Sequence, residues 1–274
     1  GAVKAGVTRE AGAGGGQIDV AELSAGGFLG MRAKGGKLAN DTGLAIPIED
    51  LTASLRLLPL LAGRRSIAFD VRIYDGALRG TADLSDPARR LVAEAEGIDL
   101  AAALPLRKAS GLDLLGRVQG SVDLTVPSAP AERSSGRVEL QVKDAGIAGG
   151  QVAIPGMNAG MPLPRMAFGQ IAAALQIGEG RATFQKLEAK GGDAEVQTEG
   201  LYFVVQPRME FAPIFGKARV RVADAFWTKS GTQGFKGLAE ASLAQAKGSD
   251  GAWNFNVTGS VGHPRLVPVT VQAR

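Results

Sequence analysis

Alternation of apolar and polar residues, interrupted only by glycine turns, limits this chain more than any other feature. It is clearest over residues 166–205, MAFGQIAAALQIGEGRATFQKLEAKGGDAEVQTEGLYFVV. Ile171, Ala173, Leu175 and Ile177 share one side of a pleat, and Gln170 and Gln176 share the other. That is the period of a half-buried strand. Gly178-Glu179-Gly180 turns the chain, and Ala182 and Phe184 open a second strand. Gly191-Gly192-Asp193 turns it again, and a third strand begins at Val196 and ends in the apolar run 201–205. The apolar parity shifts between Phe184 and Leu187 and again around Gly200. Such shifts inside a strand predict bulges, and bulges bend sheets. The stretch reads as a β-meander.

The same pattern recurs. Over 66–84, Phe69, Val71 and Ile73 alternate with Asp70, Arg72 and Tyr74, and Asp75-Gly76 predicts a two-residue turn with positive φ before Leu78, Ala82 and Leu84 return. Leu91, Ala93 and Ala95 alternate with Arg90, Glu94 and Glu96. Val118, Val122, Leu124 and Val126 face away from Arg117, Gln119, Ser121, Asp123 and Thr125, and Val138, Leu140 and Val142 from Arg137, Glu139, Gln141 and Lys143. Later candidates are Val220 with Val222, then Ala239, Ala241 and Leu243, then Trp253, Phe255, Val257 and Val261, then Val267, Val269 and Val271. Short strands are expected at 18–29, broken at Gly26-Gly27, and at 37–39. Residues 1–16 read as a flexible arm or a loose edge, 127–135 as a polar loop, 154–164 as a proline-rich loop, and 207–215 as a mixed loop or edge. This amounts to about a dozen strands, each with one apolar face, which suits antiparallel pairing with a wet side.

Two helical segments are expected. Over 47–58, Ile48, Leu51, Leu55 and Leu58 fall on one helical face, Pro47 suits a first position, Glu49 and Asp50 suit the first turn, and Pro59 and Gly63 end it. Such a helix can plug an open end of a sheet core or lie on a membrane surface. Its outer side carries Glu49, Asp50 and Arg56 rather than a basic row, which favours the plug. A single turn at 99–104 would be capped by Asp99 and stopped by Pro105.

Hydrophobic residues are 45% of the chain but aromatics only 5%, with 39 glycines, so the apolar material is small and suits a thin, sheet-rich body. There is no cysteine, which excludes disulfides, thiolate metal sites and a cysteine nucleophile together. His263, the only histidine, lies between Gly262 and Pro264 and reads as a turn residue. No nucleophile elbow, phosphate loop or zinc-binding helix motif occurs. Asp70, Asp75 and Asp83 are spread over a solvent face and a turn rather than converging. The expectation is a non-enzyme without cofactor, metal or catalytic residues. Net charge is +4 and the pI about 9.5, yet Arg64-Arg65 and Arg89-Arg90 have no interleaved aromatics, so nucleic acid is not an expected partner. The sequence begins at Gly1 rather than Met, which leads us to expect a missing N-terminal piece.

Certain runs resemble a known family: IPIEDLTASLRLLPLLAGRRSIAFDVRIYDGALRG, then GIDLAAALPL leading into GRVQGSVDLTV, then GEGRATFQKLEAKGGDAEVQTEG with a closing W-x-F-x-V-x-G strand. Together, over most of 44–264, they resemble the periplasmic domain of the type II secretion system protein N, and more distantly the AsmA-type proteins. The resemblance implies a periplasmic module anchored to the inner membrane by an N-terminal helix, serving protein export, with other secretion proteins or itself as partner. The AsmA likeness implies a lipid groove. It transfers no catalytic residues.

The fold expected is all-β: one elongated, strongly curved antiparallel sheet, a half-pipe or flattened open barrel with one short helix near an end, forming a single domain over 1–274. A two-sheet sandwich is the alternative. Two functions follow. One is a structural, partner-binding module using exposed strand edges. The other is a lipid-binding module whose groove would be lined by Val118, Val122, Leu124, Val138, Leu140, Val142, Trp253, Phe255 and Val257. The plainer reading, which we favour from the sequence, is that those nine are packed core, since core and groove are both one apolar face of each strand.

Overall fold

The computed structural model describes residues 9–11, 16–25, 30–39, 45–128, 130–152, 161–162 and 164–269. The protein is all-β. Among the described residues, sixteen strands follow one another antiparallel in almost unbroken sequence order, and their path does not close on itself. Apart from the two-residue strand Met161–Pro162, which lies off the path and which the following strand skips, each strand pairs with the one before it, so the chain is a long meander and not the Greek key of a sandwich. The contacts divide into two compact units, 1–111 with 117–128, and 112–116 with 129–274.

Unit 1 holds β1 (Arg9–Ala11), β2 (Gly16–Ala25), β3 (Gly30–Ala39), β4 (Ala45–Leu55), β5 (Ser66–Ile73), β6 (Gly76–Asp83), β7 (Ala88–Asp99) and most of β8 (Leu112–Pro127). Two short helices, α1 (Leu57–Leu61) and α2 (Leu104–Ser110), link β4 to β5 and β7 to β8. The rest of the expected N-terminal arm and the 26–29 end of the first strand lie outside the described residues.

Unit 2 holds the start of β8, then β9 (Ser135–Val152), β10 (Met161–Pro162), β11 (Met166–Gly178), β12 (Arg181–Lys190), β13 (Ala194–Val204), β14 (Ile214–Val222), β15 (Trp253–Ser260) and β16 (His263–Pro268). Between β14 and β15 lie α3 (Asp224–Trp227) and α4 (Gln233–Ser242). The 166–205 meander is β11 to β13. Its bulges fall where the parity shifts: Ala174 and Leu175 face Lys186 and Phe184, leaving Gln185 as the extra residue. Glu199 and Tyr202 face Lys217 and Phe215, so Gly200 and Leu201 together oppose Gly216.

Four local expectations are corrected. The segment 47–58 is not a helix. Residues 45–55 are β4, laddered to both β3 and β5. The run Asp50–Leu55 alternates as well as it spirals, and two strand partners outweigh a helical stripe. The helix begins instead at Leu57, with Pro59 inside its first turn, where a missing N–H costs nothing. Likewise Pro105 does not stop a helix at 99–104 but sits at the start of α2, the position its fixed φ favours. Ala239, Ala241 and Leu243 belong to α4 and its C-cap, not a strand, because Phe235, Ala239 and Leu243 form a stripe at helical spacing that packs against the buried cluster of Phe226, Trp227, Ala246, Trp253 and Phe255. The hairpin turn is Tyr74-Asp75, with φ of 48° and 60°, one residue earlier than expected. Gly76 is held in the strand because a Cβ there would come within 2.5 Å of the Ile98 backbone nitrogen.

Candidate functional site

The candidate site is the apolar face each unit presents. In unit 1 the strand registers align three rows across β4 to β8. Leu55, Ile67, Ala82, Leu91 and Leu124 form one; Ala53, Phe69, Gly80, Ala93 and Val122 the next; Leu51, Val71, Leu78, Ala95 and Gly120 the third. Every member is apolar or glycine because the pleat sends the intervening Asp70, Arg79, Glu94, Arg90 and Asp123 to the other side. There they pair in water: Arg79 with Asp70 at 2.9 Å, and Arg90 with Asp123 at 2.8 Å. Of the three rows only Ala93 is buried. Phe69, Val71, Leu78, Val122 and Leu124 are half-buried, and Leu55 and Leu91 are more than a third exposed.

In unit 2 the face graduates from open to closed. Ile171, Ala173 and Leu175 on β11 stand opposite Val142, Leu140 and Val138 on β9, and Leu140 is 41% exposed. Across β12 and β13 the face closes over Ala182, Leu201 and Phe203, with the Phe184 and Phe203 rings edge-on at 6.1 Å. At β15 it is fully covered. Phe226, Trp227 and Phe235 of α3 and α4 lie over Trp253 and Phe255, with Trp227 and Trp253 edge to face at 6.4 Å.

A clasp holds that cover down. The Asp193 carboxylate, in the β12–β13 turn, accepts the Ala167 backbone N–H at 2.9 Å and bonds Lys229 Nζ, just after α3, at 2.6 and 2.7 Å. Burial pushes the Asp193 carboxyl up, but the Ala167 N–H and the Lys229 ammonium outweigh it and hold it below the usual carboxylate range. Behind the cover, Thr232 is buried and its hydroxyl bonds the Lys229 carbonyl at 2.7 Å.

The nine residues expected to line one groove therefore fall into three settings. Val118, Val122 and Leu124 lie on the half-open face of unit 1. Val138, Leu140 and Val142 lie on the open margin of unit 2. Trp253, Phe255 and Val257, 5–7% exposed, are packed core. Sequence reasoning missed the covering residues Phe226, Trp227 and Phe235. The available signal was the adjacent Phe-Trp pair in an aromatic-poor chain.

Unit 2 also carries a shallow hollow of about 700 Å³ lined by Lys217, Arg219 and Asn254 together with Ala218, Phe255 and Val269. Arg219 and Arg221 share the carboxylate of Asp250, which leaves one positive charge in excess at that cluster. Among the described residues no group of three His, Asp or Glu side chains is placed to hold a metal, and no helix is long and apolar enough to cross a membrane. His263 begins β16 and is exposed. No family model, no curated protein and no solved structure matches this chain.

Proposed function

We propose that the protein is a non-enzymatic lipid-handling module of the bacterial envelope, with acyl chains lying along the apolar face of unit 1. One observation carries this reading: three apolar rows, five strands wide, in which no large side chain is buried. A soluble protein rarely leaves so much contiguous apolar surface without a partner. Each half-open Leu, Val or Phe that an acyl chain covers gains on the order of 1 kcal/mol. The periplasmic setting rests on the resemblance of the strand repeats to AsmA-type proteins and to the type II secretion protein N domain.

Native mass spectrometry of the full chain, followed by organic extraction, tests the reading. Stoichiometric phospholipid or fatty acid is expected, lost in Val122→Glu while cooperative unfolding is kept. A clean apo mass, or a Val122→Glu chain that no longer folds, rejects it.

β16 favours a second reading, a partner-binding component of the type II secretion machine. Every residue of this last strand is exposed, Leu266 by 55% and Val267 by 46%, and among the described residues it pairs only with β15. Such an edge can add a strand from another secretion protein or a second copy. The same mass spectra read self-association directly: a dimer supports edge pairing between copies, and a monomer at all concentrations rejects it.

A further inference from the structure

The link between β4 and β5 is built unlike a simple hairpin turn. Its sequence, RLLPLLAGRR over 56–65, forms the five-residue helix α1, of which no residue is buried. Leu58 is 80% exposed and Leu61 85%, with Leu57 at 48% and Leu60 at 42%. This is not a frayed end. Gly63 adopts φ +74°, its N–H bonds the Leu60 carbonyl at 2.9 Å, and the Arg64 N–H reaches back to the Pro59 carbonyl at 2.8 Å. Those two bonds are the Schellman closure of a helix C-terminus. The Arg56 N–H bonds Ser66 O at 2.9 Å, tying the base of the link to the sheet. The chain thus holds four leucines out into solvent on a fixed support.

Charge surrounds the leucines on both sides. Arg56 precedes them and Arg64 and Arg65 follow, with no carboxylate anywhere in 56–65. Arg64 is paired with Asp83, but among the described residues Arg56 and Arg65 have no carboxylate partner. The acidic residues that an amphipathic helix over 47–58 would have carried, Glu49 and Asp50, lie instead in β4. What remains is an apolar tip with a basic collar.

We propose that α1 and its arginine collar form an insertion tip that seats this end of unit 1 in an anionic lipid surface. A short convex helix of leucines matches a soft apolar phase. Protein hot spots favour Trp, Tyr and Arg set in a pocket and are poor in Leu. The arginine stems can lie along the acyl boundary while their guanidiniums reach phosphates, and each basic residue near an anionic surface raises partitioning about fivefold. The inference stands apart from the apolar-face reading, since it requires vesicle binding and not a copurified lipid.

Flotation of the full chain with phosphatidylethanolamine/phosphatidylglycerol vesicles, against phosphatidylcholine alone, provides the test. Wild type is expected to float with the anionic vesicles and to be released by salt. Leu58→Glu/Leu61→Glu should bind at least about tenfold more weakly at unchanged thermal stability, because both side chains already face water. Arg56→Glu/Arg65→Glu should weaken binding by at least about tenfold through charge alone. Wild type that ignores anionic vesicles overturns the proposal, as does equal binding to phosphatidylcholine. So does a leucine double variant that floats like wild type, or one whose only defect is loss of a protein dimer.

Discussion

Phe226→Ala should weaken unit 2 by about 3–5 kcal/mol, the usual result of emptying a fully buried phenylalanine site. The ring is 0% exposed, meets Trp227 edge-on at 5.0 Å, and belongs to the cluster that includes Trp253, Phe255 and Ala246. Its neighbours cannot close the gap easily. α3 is pinned by the Asp193–Lys229 clasp on one side and by the Thr232 hydroxyl on the Phe226 and Lys229 carbonyls on the other. The upper half of the range is therefore expected. The only two tryptophans, Trp227 and Trp253, sit in this cluster, so intrinsic fluorescence during urea unfolding reports this site alone. With a denaturant slope of about 2 kcal/mol per M, the midpoint should fall by about 2–2.5 M. Leu58→Ala, at an 80% exposed position, should leave it unmoved. A Phe226→Ala midpoint within about 0.5 M of wild type would show that α3 is not the cover, and the contrast between a closed and an open face would fail with it.

Two further outcomes follow from contacts already described. The Asp193 carboxyl titrates below its ordinary 3.8, so its stabilising share is fully present above that value and is lost as pH falls through its lower folded value. Acid unfolding of wild type should therefore expose the tryptophans over a window that Asp193→Asn lacks, and coincident acid transitions would refute the clasp. Gly80→Val should destabilise unit 1 by at least about 2 kcal/mol, because its Cβ would fall 2.2 Å from the Val92 carbonyl oxygen, a backbone atom that cannot swing aside. Circular dichroism melting checks this, and a wild-type melting temperature would mean the β6–β7 approach is looser than described.

The meander was legible because alternation is a local signal. The 166–205 bulges could be placed to within a residue or two, since a parity shift is visible only where a strand gains a residue. What failed was decided by partners rather than by local pattern. Residues 50–55 satisfy a helical stripe and a strand alternation equally, and β3 and β5 settle the choice. Gly76 looked like a turn residue, but its glycine answers the approach of Ile98 from β7, far along the chain. The candidate groove was only partly legible for the same reason. Val122 and Phe255 have the same alternating context, yet one stays half-open and the other is 6% exposed, because covering is done by links whose destination no strand pattern encodes.

The distribution of bulky residues explains why those links differ. An aromatic side chain buries about 150–250 Å², more than any aliphatic one, and so decides where a thin sheet can close. Unit 1 has only Phe28, Phe69 and Tyr74, while both tryptophans, Tyr202 and every phenylalanine from Phe168 to Phe255 fall in unit 2. The unit 2 link 223–252 is long enough to lay Phe226, Trp227 and Phe235 back over β15. The unit 1 links carry leucine instead and keep it outside: Leu58 and Leu61 on α1, Leu104 on α2 at 57%. Neither α1 nor α2 carries an aromatic side chain, the rows between β4 and β8 stay half-open where unit 2 is closed, and the acyl chain proposed to cover them makes no demand on hydrogen bonding.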